Sequence, residues 1–207
     1  MIVNLDRVRA ALTLTDFDGI MAQGRMAPIP RSMRRSEKRN GNPRQASVLL
    51  LLFPGAEGLS FVLTRRSENE HDVHSGQISF PGGSREPGES NIQNALRETY
   101  EELGVAMQEI EILGSLSDLY IRPSDFEVHP LVGYVPYLPT WRPCPTEVAE
   151  ALVCPVSWLL EEERHVVEDW DYNGFRMRVP WYNVRGHKVW GATAMMLSEF
   201  EQRLRCV

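Results

Sequence analysis

The sequence predicts an α/β layered domain with a mixed β-sheet, preceded by an N-terminal helical and basic arm. Three observations predict it. The longest apolar run, Val48 to Phe53, has the length of a buried strand. A turn, "PGAEG", and a second apolar run, "LSFVLTRR", follow it at hairpin spacing. Further strand-like and helix-like segments mix without the strict alternation of a purely parallel fold.

The elements follow in order. Apolar residues at 3, 5, 8, 11 and 12 give a helix over Val3 to Leu14. Gly24 to Arg44 is rich in Pro, Gly and charge and reads as loop, which separates an arm, 1–44, from a main domain, 45–207. Residues 46–66 form the hairpin. "SENEHDVHSG" is polar loop, and "QISF" is a short strand stopped by Pro81-Gly82-Gly83. Residues 84–90 are loop. Ser90 or Asn91 caps a helix that runs to Leu103, where Gly104 ends it in a left-handed conformation. "EIEILGSL" and "EVHPLVGYVP" read as strands. Pro155 to Glu163 reads as helix, with proline near its first turn. "FRMRVPWYNV" reads as a strand whose proline favours an edge, and "ATAMMLSEFEQRLR" as a last, amphipathic helix.

At 43% apolar and 24% charged, the chain can bury a sizeable core. No apolar run approaches the ~18 residues of a membrane helix. The first residues carry Asp6, Asp16 and Asp18 and lack a secretory pattern, so the expected compartment is the cytoplasm, with no membrane partner. A net charge of -6 gives no footing for nucleic-acid binding. One segment departs from that balance: Arg31 to Arg44 holds six basic residues and one acid. It reads as a solvated linker, or as a basic arm over an anionic ligand or a partner subunit. Cys144, Cys154 and Cys206 are an odd, scattered set, which argues against a disulfide framework and a zinc site.

The densest chemistry lies in "GGSREPGESNIQNALRETYEELGV", Gly82 to Val105. Taking about 100° per residue from Glu98, Glu101 falls at about -60° and Glu102 at about +40°. Ile92, Leu96, Thr99 and Leu103 gather between about 100° and 160° and form the expected core face. Three acids thus share one arc and repel one another by a few tenths of a kcal/mol per neighbouring pair. Two explanations compete: a solvated acidic face, or an arc holding a hard divalent cation such as Mg²⁺ or Mn²⁺, which takes carboxylate oxygens. Arg97 stands beside the acids and can hold one of them.

The full pattern decides between these. Gly83, Glu89, Arg97, Glu98, Thr99, Glu101, Glu102, Gly104 and Val105 stand in the register of the Nudix box, and the stretch resembles that signature of Nudix hydrolases. Thr99 replaces the commoner aliphatic residue. The resemblance implies an α/β/α sandwich in which a loop-helix-loop presents metal ions to a diphosphate. It implies Glu98 and Glu102 as principal metal ligands, Glu101 as a further ligand or base, Glu89 as a support for the loop or for a second metal, and a close approach at Gly82 and Gly83. A bound metal would screen the phosphate charge and acidify water, and a carboxylate would take the proton.

Upstream, "VLTRRSENEHDVHSGQISFPGG" resembles the additional motif of the coenzyme A diphosphatase subfamily through Leu63, Thr64, Arg66, Ser67, Gly76, Phe80, Pro81, Gly82 and Gly83. The spacer between Ser67 and Gly76 is one residue longer than the common form, and His71 or a neighbour replaces its usual basic residue. "PTEVAEALVCPVSWLL", with Glu147 as the acid to watch, and "KVWGATAMML" are also similar to that subfamily. The resemblance implies a substrate of coenzyme A or its thioesters. Arg65, Arg66, Ser67, His74, Gly76, Phe80 and Gly83 are candidate substrate contacts, and Tyr120, Phe126, Trp141 and Trp181 candidate walls. ADP-ribose, a dinucleotide or a nucleoside triphosphate is the rival substrate, and a non-catalytic binding module the rival class. Homodimers are common among such relatives.

Overall fold

The computed structural model describes residues 2–30, 42–67, 76–172 and 174–207. The chain runs α1 (Leu5–Leu12), α2 (Gly19–Gly24), β1 (Arg44–Gly55), β2 (Gly58–Arg66), β3 (Ile78–Ser79), β4 (Gly82–Ser84) and α3 (Asn91–Leu103). It continues through β5 (Glu111–Ser115), β6 (Leu119–Ile121), β7 (Phe126–Tyr134), β8 (Val148–Pro155), β9 (His165–Tyr172), β10 (Phe175–Val184), β11 (His187–Trp190) and α4 (Gly191–Arg205).

Strand β1 organises the layers because both of its faces are apolar. Ala46, Leu50 and Leu52 pack toward α1 and α4, while Leu49, Leu51 and Phe53 pack toward α3 with Ala95 and Leu103. A strand covered on both faces needs a continuous apolar run, and Val48 to Phe53 supplies it. β1 pairs antiparallel with β2 and parallel with β7, so the main sheet is mixed, in the order β3-β2-β1-β7-β5. The α/β/α arrangement expected from the sequence is therefore present. A smaller sheet, β11-β10-β9, stands beside it.

Several elements differ from expectation. Val3, Val8, Ala11, Met26 and Ala27 of the N-terminal residues lie in the same core as β1 and α4. Helix α2 is not among the expected elements; its short GIMAQG stretch is capped by Asp18, whose side chain accepts from the Met21 N–H. Pro155 to Glu163 is not an α-helix but 3-10 turns over Val156–Leu160 and Glu162–Arg164. β10 is the middle strand of its sheet, not an edge. Its Pro180 pairs with Val167 of β9 but lies one residue beyond Trp181, where β11 has ended, so no bond to β11 is lost. The basic segment from Arg31 falls outside the described residues except at its end. There Arg44 stacks on Phe126, its guanidinium 3.9 Å from the ring centroid. Among the described residues, no helix is long and apolar enough to cross a membrane.

Candidate active site

Both ends of α3 are fixed by local chemistry. Ser90 accepts from the Gln93 N–H at 3.2 Å, and Gln93 Oε1 accepts from the Ser90 N–H at 2.8 Å, a reciprocal cap. Gly104, at φ 74°, ends the helix in the left-handed region, its N–H donating to Tyr100 at 2.8 Å. With both ends set, each side chain has a defined direction. The buried face is Asn94, Ala95, Thr99, Glu102 and Leu103. This corrects the expected wheel: Ile92 is exposed, and Glu102 is only 3% exposed rather than sharing an outward arc with Glu98 and Glu101.

Arg97 is the hub of the outer side. Its Nε donates to Glu89 Oε1 at 2.7 Å, its Nη1 to Glu101 Oε2 at 2.8 Å and its Nη2 to the Ser84 carbonyl at 3.2 Å. Glu98 Oε1 also lies 2.9 Å from Nη2. One guanidinium therefore binds three carboxylates and ties the loop after β4 to the helix. Glu89 spends both oxygens on Arg97 and on the Glu86 N–H, and those hydrogen bonds hold its pKa below the ordinary carboxylate value. In this geometry Glu89 braces the loop, and exposed Glu101 turns to Arg97.

Glu102 is the contrasting group. It accepts from the Gly82 N–H, but Oε2 is buried without a hydrogen-bond partner. Its pKa is pushed up to about 8, first by burial and also by the like charges of Glu98 and Glu147, against the pull of Arg66. Burial likewise raises Glu98, with Glu101 and Glu147 adding repulsion and Arg97 opposing it.

The glycines before the helix make this proximity possible. A Cβ at Gly83 would stand 2.5 Å from the Glu98 carboxylate, and one at Gly82 would stand 2.4 Å from the Ser47 carbonyl oxygen. Gly82 also has φ 154°, and β4 lies against β1 through Ser47↔Gly83.

The remaining predicted residues divide. Arg66 ends β2 on the Glu102 side, and the Ser67 N–H donates to the Glu147 carbonyl at 2.9 Å. Arg65 instead pairs with Glu150 at 3.4 Å. Gly76 adopts φ 68° in a turn. Phe80 is 2% exposed within the core, which removes it as a substrate contact. Trp141 packs edge-on against Phe53 at 5.2 Å, and Trp181 is buried, so neither forms an open wall. Tyr120 stays exposed, its hydroxyl donating to Asp125 at 2.9 Å. His71 and His74 lie outside the described residues. Asn94 was missed: fully buried, it donates to the Ser84 carbonyl at 3.0 Å and holds β4 to the helix. The available signal was a polar residue four before Glu98 and eight before Glu102.

Among the described residues, no three His, Cys, Asp or Glu side chains converge tightly enough to hold a metal ion as they stand. The donor set nevertheless fits a divalent cation: an orphaned buried carboxylate oxygen, a second half-buried acid beside it, and a glycine cradle that excludes competing side chains.

The NUDIX domain profile matches residues 43–173. The chain belongs to the Nudix hydrolase family. Its chemistry is the hydrolysis of phosphoanhydrides, and Nudix hydrolases generally need divalent metals. It is 31% identical to NudL of Photorhabdus laumondii, an uncharacterized Nudix hydrolase, over 94% of this chain and 99% of that one. It is 34% identical to the human mitochondrial coenzyme A diphosphatase NUDT8, over 78% of this chain and 70% of that one. The fold matches a MutT protein from Methanosarcina mazei, with a TM-score of 0.52 at 20% identity, covering 82% of this Nudix chain and 97% of that one.

Proposed function

We propose that this Nudix hydrolase cleaves the diphosphate of coenzyme A or its thioesters, with Mg²⁺ or Mn²⁺, to 3',5'-ADP and 4'-phosphopantetheine or its acyl form. Water adds across the P–O–P bridge, one phosphate taking the oxygen of water and the other leaving with the bridging oxygen. The observation that carries the substrate is the position of the segment resembling the coenzyme A motif. Its "VLTRRS" portion is the last five residues of β2 and the residue after them, which set Arg66 beside Glu102 and Ser67 against the Glu147 backbone. The likeness to NUDT8 supports the same reading.

In this assignment Glu98 and Glu102 hold the cation, and Gly82 and Gly83 keep the approach to it open. A bound cation supplies charge screening on the phosphates and a more acidic water. Arg97 fixes the Glu98 carboxylate and, through Glu89 and Ser84, the loop that carries the glycines. Glu101 holds Arg97 from its exposed side. Arg66 supplies positive charge where diphosphate oxygens arrive.

The test is a panel of coenzyme A, 3'-dephospho-coenzyme A, ADP-ribose, diadenosine polyphosphates and nucleoside triphosphates with Mg²⁺ or Mn²⁺, products being identified by mass. The expected outcome is the highest kcat/KM for coenzyme A or a thioester. Preference for ADP-ribose or a dinucleotide overturns the substrate, and no turnover of any compound overturns the enzymatic reading.

A further inference from the structure

Three polar side chains from different elements converge on Gly83. The first is Ser47. Leu49, Leu51 and Phe53 of β1 face α3, and Ser47, two residues before Leu49, points the same way by strand alternation. It pairs directly with Gly83 of β4. The second is Asn94, whose Nδ2 donates at 3.0 Å to the carbonyl of Ser84, the next residue of β4. The third is Glu98, one helical turn beyond Asn94. Its carboxylate carbon lies 2.5 Å from where a Gly83 Cβ would stand, so it fills the place of the missing side chain.

Two of these groups are unsatisfied. Ser47 and Asn94 are both 0% exposed, and among the described residues neither Ser47 Oγ nor Asn94 Oδ1 has a hydrogen-bond partner. Buried polar atoms left so are costly and rare. Buried hydroxyls on α4 are satisfied: Ser198 donates to the Ala22 carbonyl at 2.8 Å and Thr193 to the Ile78 carbonyl at 3.0 Å. Turning the Asn94 amide round does not help, because its Nδ2 is committed to Ser84. Strand geometry accounts for the gap. Facing residues of an antiparallel pair hold their Cβ positions about 4.5–5.5 Å apart, and the Glu98 carboxylate stands at the Gly83 position. That separation is too long for one hydrogen bond and matches two hydrogen bonds through a water.

We propose that a single buried water sits beneath α3, and that through it Ser47 and Asn94 position the Glu98 carboxylate for a cation. The Ser47 hydroxyl donates to the water. The water donates one hydrogen to Asn94 Oδ1 and the other to Glu98. Both orphan atoms then have partners, and the water has three, the usual number for a buried one. Arg97 Nη2 holds Glu98 Oε1 from the outer side at 2.9 Å, and the water holds the other oxygen from the inner side. The cation part of this inference rests on the reading of Glu98 as a ligand; the water itself does not.

A high-resolution crystal structure of the full chain in chelator tests the water. Expected is an ordered water within hydrogen-bond reach of Ser47 Oγ, Asn94 Oδ1 and Glu98; a Ser47 hydroxyl bonded to any other group overturns the proposal. The positioning role is tested with Mn²⁺ alone, free Mn²⁺ being followed by electron paramagnetic resonance. Ser47→Ala should weaken binding about tenfold, with Tm in chelator within about 3 °C of wild type. Weaker binding with a larger loss of Tm would make Ser47 a structural residue only. Ser198→Ala, remote from α3, should bind within about twofold of wild type. Wild-type affinity in Ser47→Ala beside weakened Glu98→Gln overturns the positioning role and leaves Glu98 a ligand. Wild-type affinity in both overturns the reading of Glu98 itself.

Discussion

Helices α3 and α4 both bury glutamates, and they surround them in opposite ways. On α4, fully buried Glu199 receives the Ser117 N–H at 3.0 Å, the Ser117 hydroxyl at 3.1 Å, Gln23 Nε2 at 2.9 Å and Arg203 Nε at 3.0 Å. Glu201, 2% exposed, receives the Tyr182 hydroxyl at 2.6 Å and Arg205 Nε at 2.7 Å. Each acid has its own arginine one turn on, and their donors join α4 to α2, to the segment after β5 and to β10. On α3, Glu102 is as buried, yet one oxygen has no donor and its close neighbours include two more acids. A buried charge that is paired and hydrogen-bonded is tolerated, and one that is not must be neutralised by something else. Burial of an acid therefore marks nothing by itself, and the missing hydrogen-bond donor on Glu102 Oε2 separates the candidate active site from a structural joint.

The largest effect that sharpens this contrast is on turnover. Glu102→Gln keeps shape and removes one charge, and at saturating metal its kcat should fall ~10²-fold or more. Glu199→Gln should leave kcat per folded molecule within about twofold. Steady-state kinetics on both variants decide it, and an unchanged rate in Glu102→Gln would remove that carboxylate from the site.

The next effect is on stability, with the helices exchanging roles. Glu199→Gln leaves Arg203, 8% exposed, without its anionic partner. Breaking a buried pair from one side costs about 3 kcal/mol or more, which lowers Tm by about 6–12 °C in a chain of this size. Calorimetry that finds less than about 2 °C would show that the network around Gln23, Ser117 and Arg203 holds α4 without that charge. Gly83→Ala should do the reverse. The new Cβ displaces the flexible end of Glu98, so activity should drop about tenfold while Tm moves by less than about 3 °C.

The same contrast explains what was legible in the sequence. The acid site was readable because a glycine pair, a cap, an arginine and three acids occupy fixed spacings in one contiguous stretch. The hairpin was readable because β1 is apolar on both faces. Glu199 and Glu201 were not, since their partners lie on elements distant in sequence: Gln23 near the N-terminus, Ser117 after β5 and Tyr182 on β10. The outward direction expected for Glu102 failed for a related reason. A wheel assumes one apolar stripe, whereas here the carboxylate enters the sheet side where Gly82 and Gly83 leave space. The motif resemblance makes Phe80 a candidate substrate contact, but its own side chain faces the core.

The smallest expected effect tests the charge on Glu102 without any turnover. Burial, aided by Glu98 and Glu147, places its folded pKa at about 8, whereas an unfolded glutamate titrates near ~4.3. Between these values the native chain holds a proton that the unfolded chain has released. Stability therefore falls as pH rises through this window, and the whole cost is present above its upper end. In chelator, Glu102→Gln lacks that cost, so its Tm advantage over wild type should grow from pH 5 to pH 8.5, reaching about 3 °C or more. Groups remote from residue 102 titrate equally in both proteins and cancel in the difference, which confines the comparison to Glu102 and the acids coupled to it. A Tm gap that stays constant with pH would mean that Glu102 ionises as an ordinary surface acid does. The α3 site would then hold no desolvated charge for a cation to neutralise, and the distinction between the two helices would disappear.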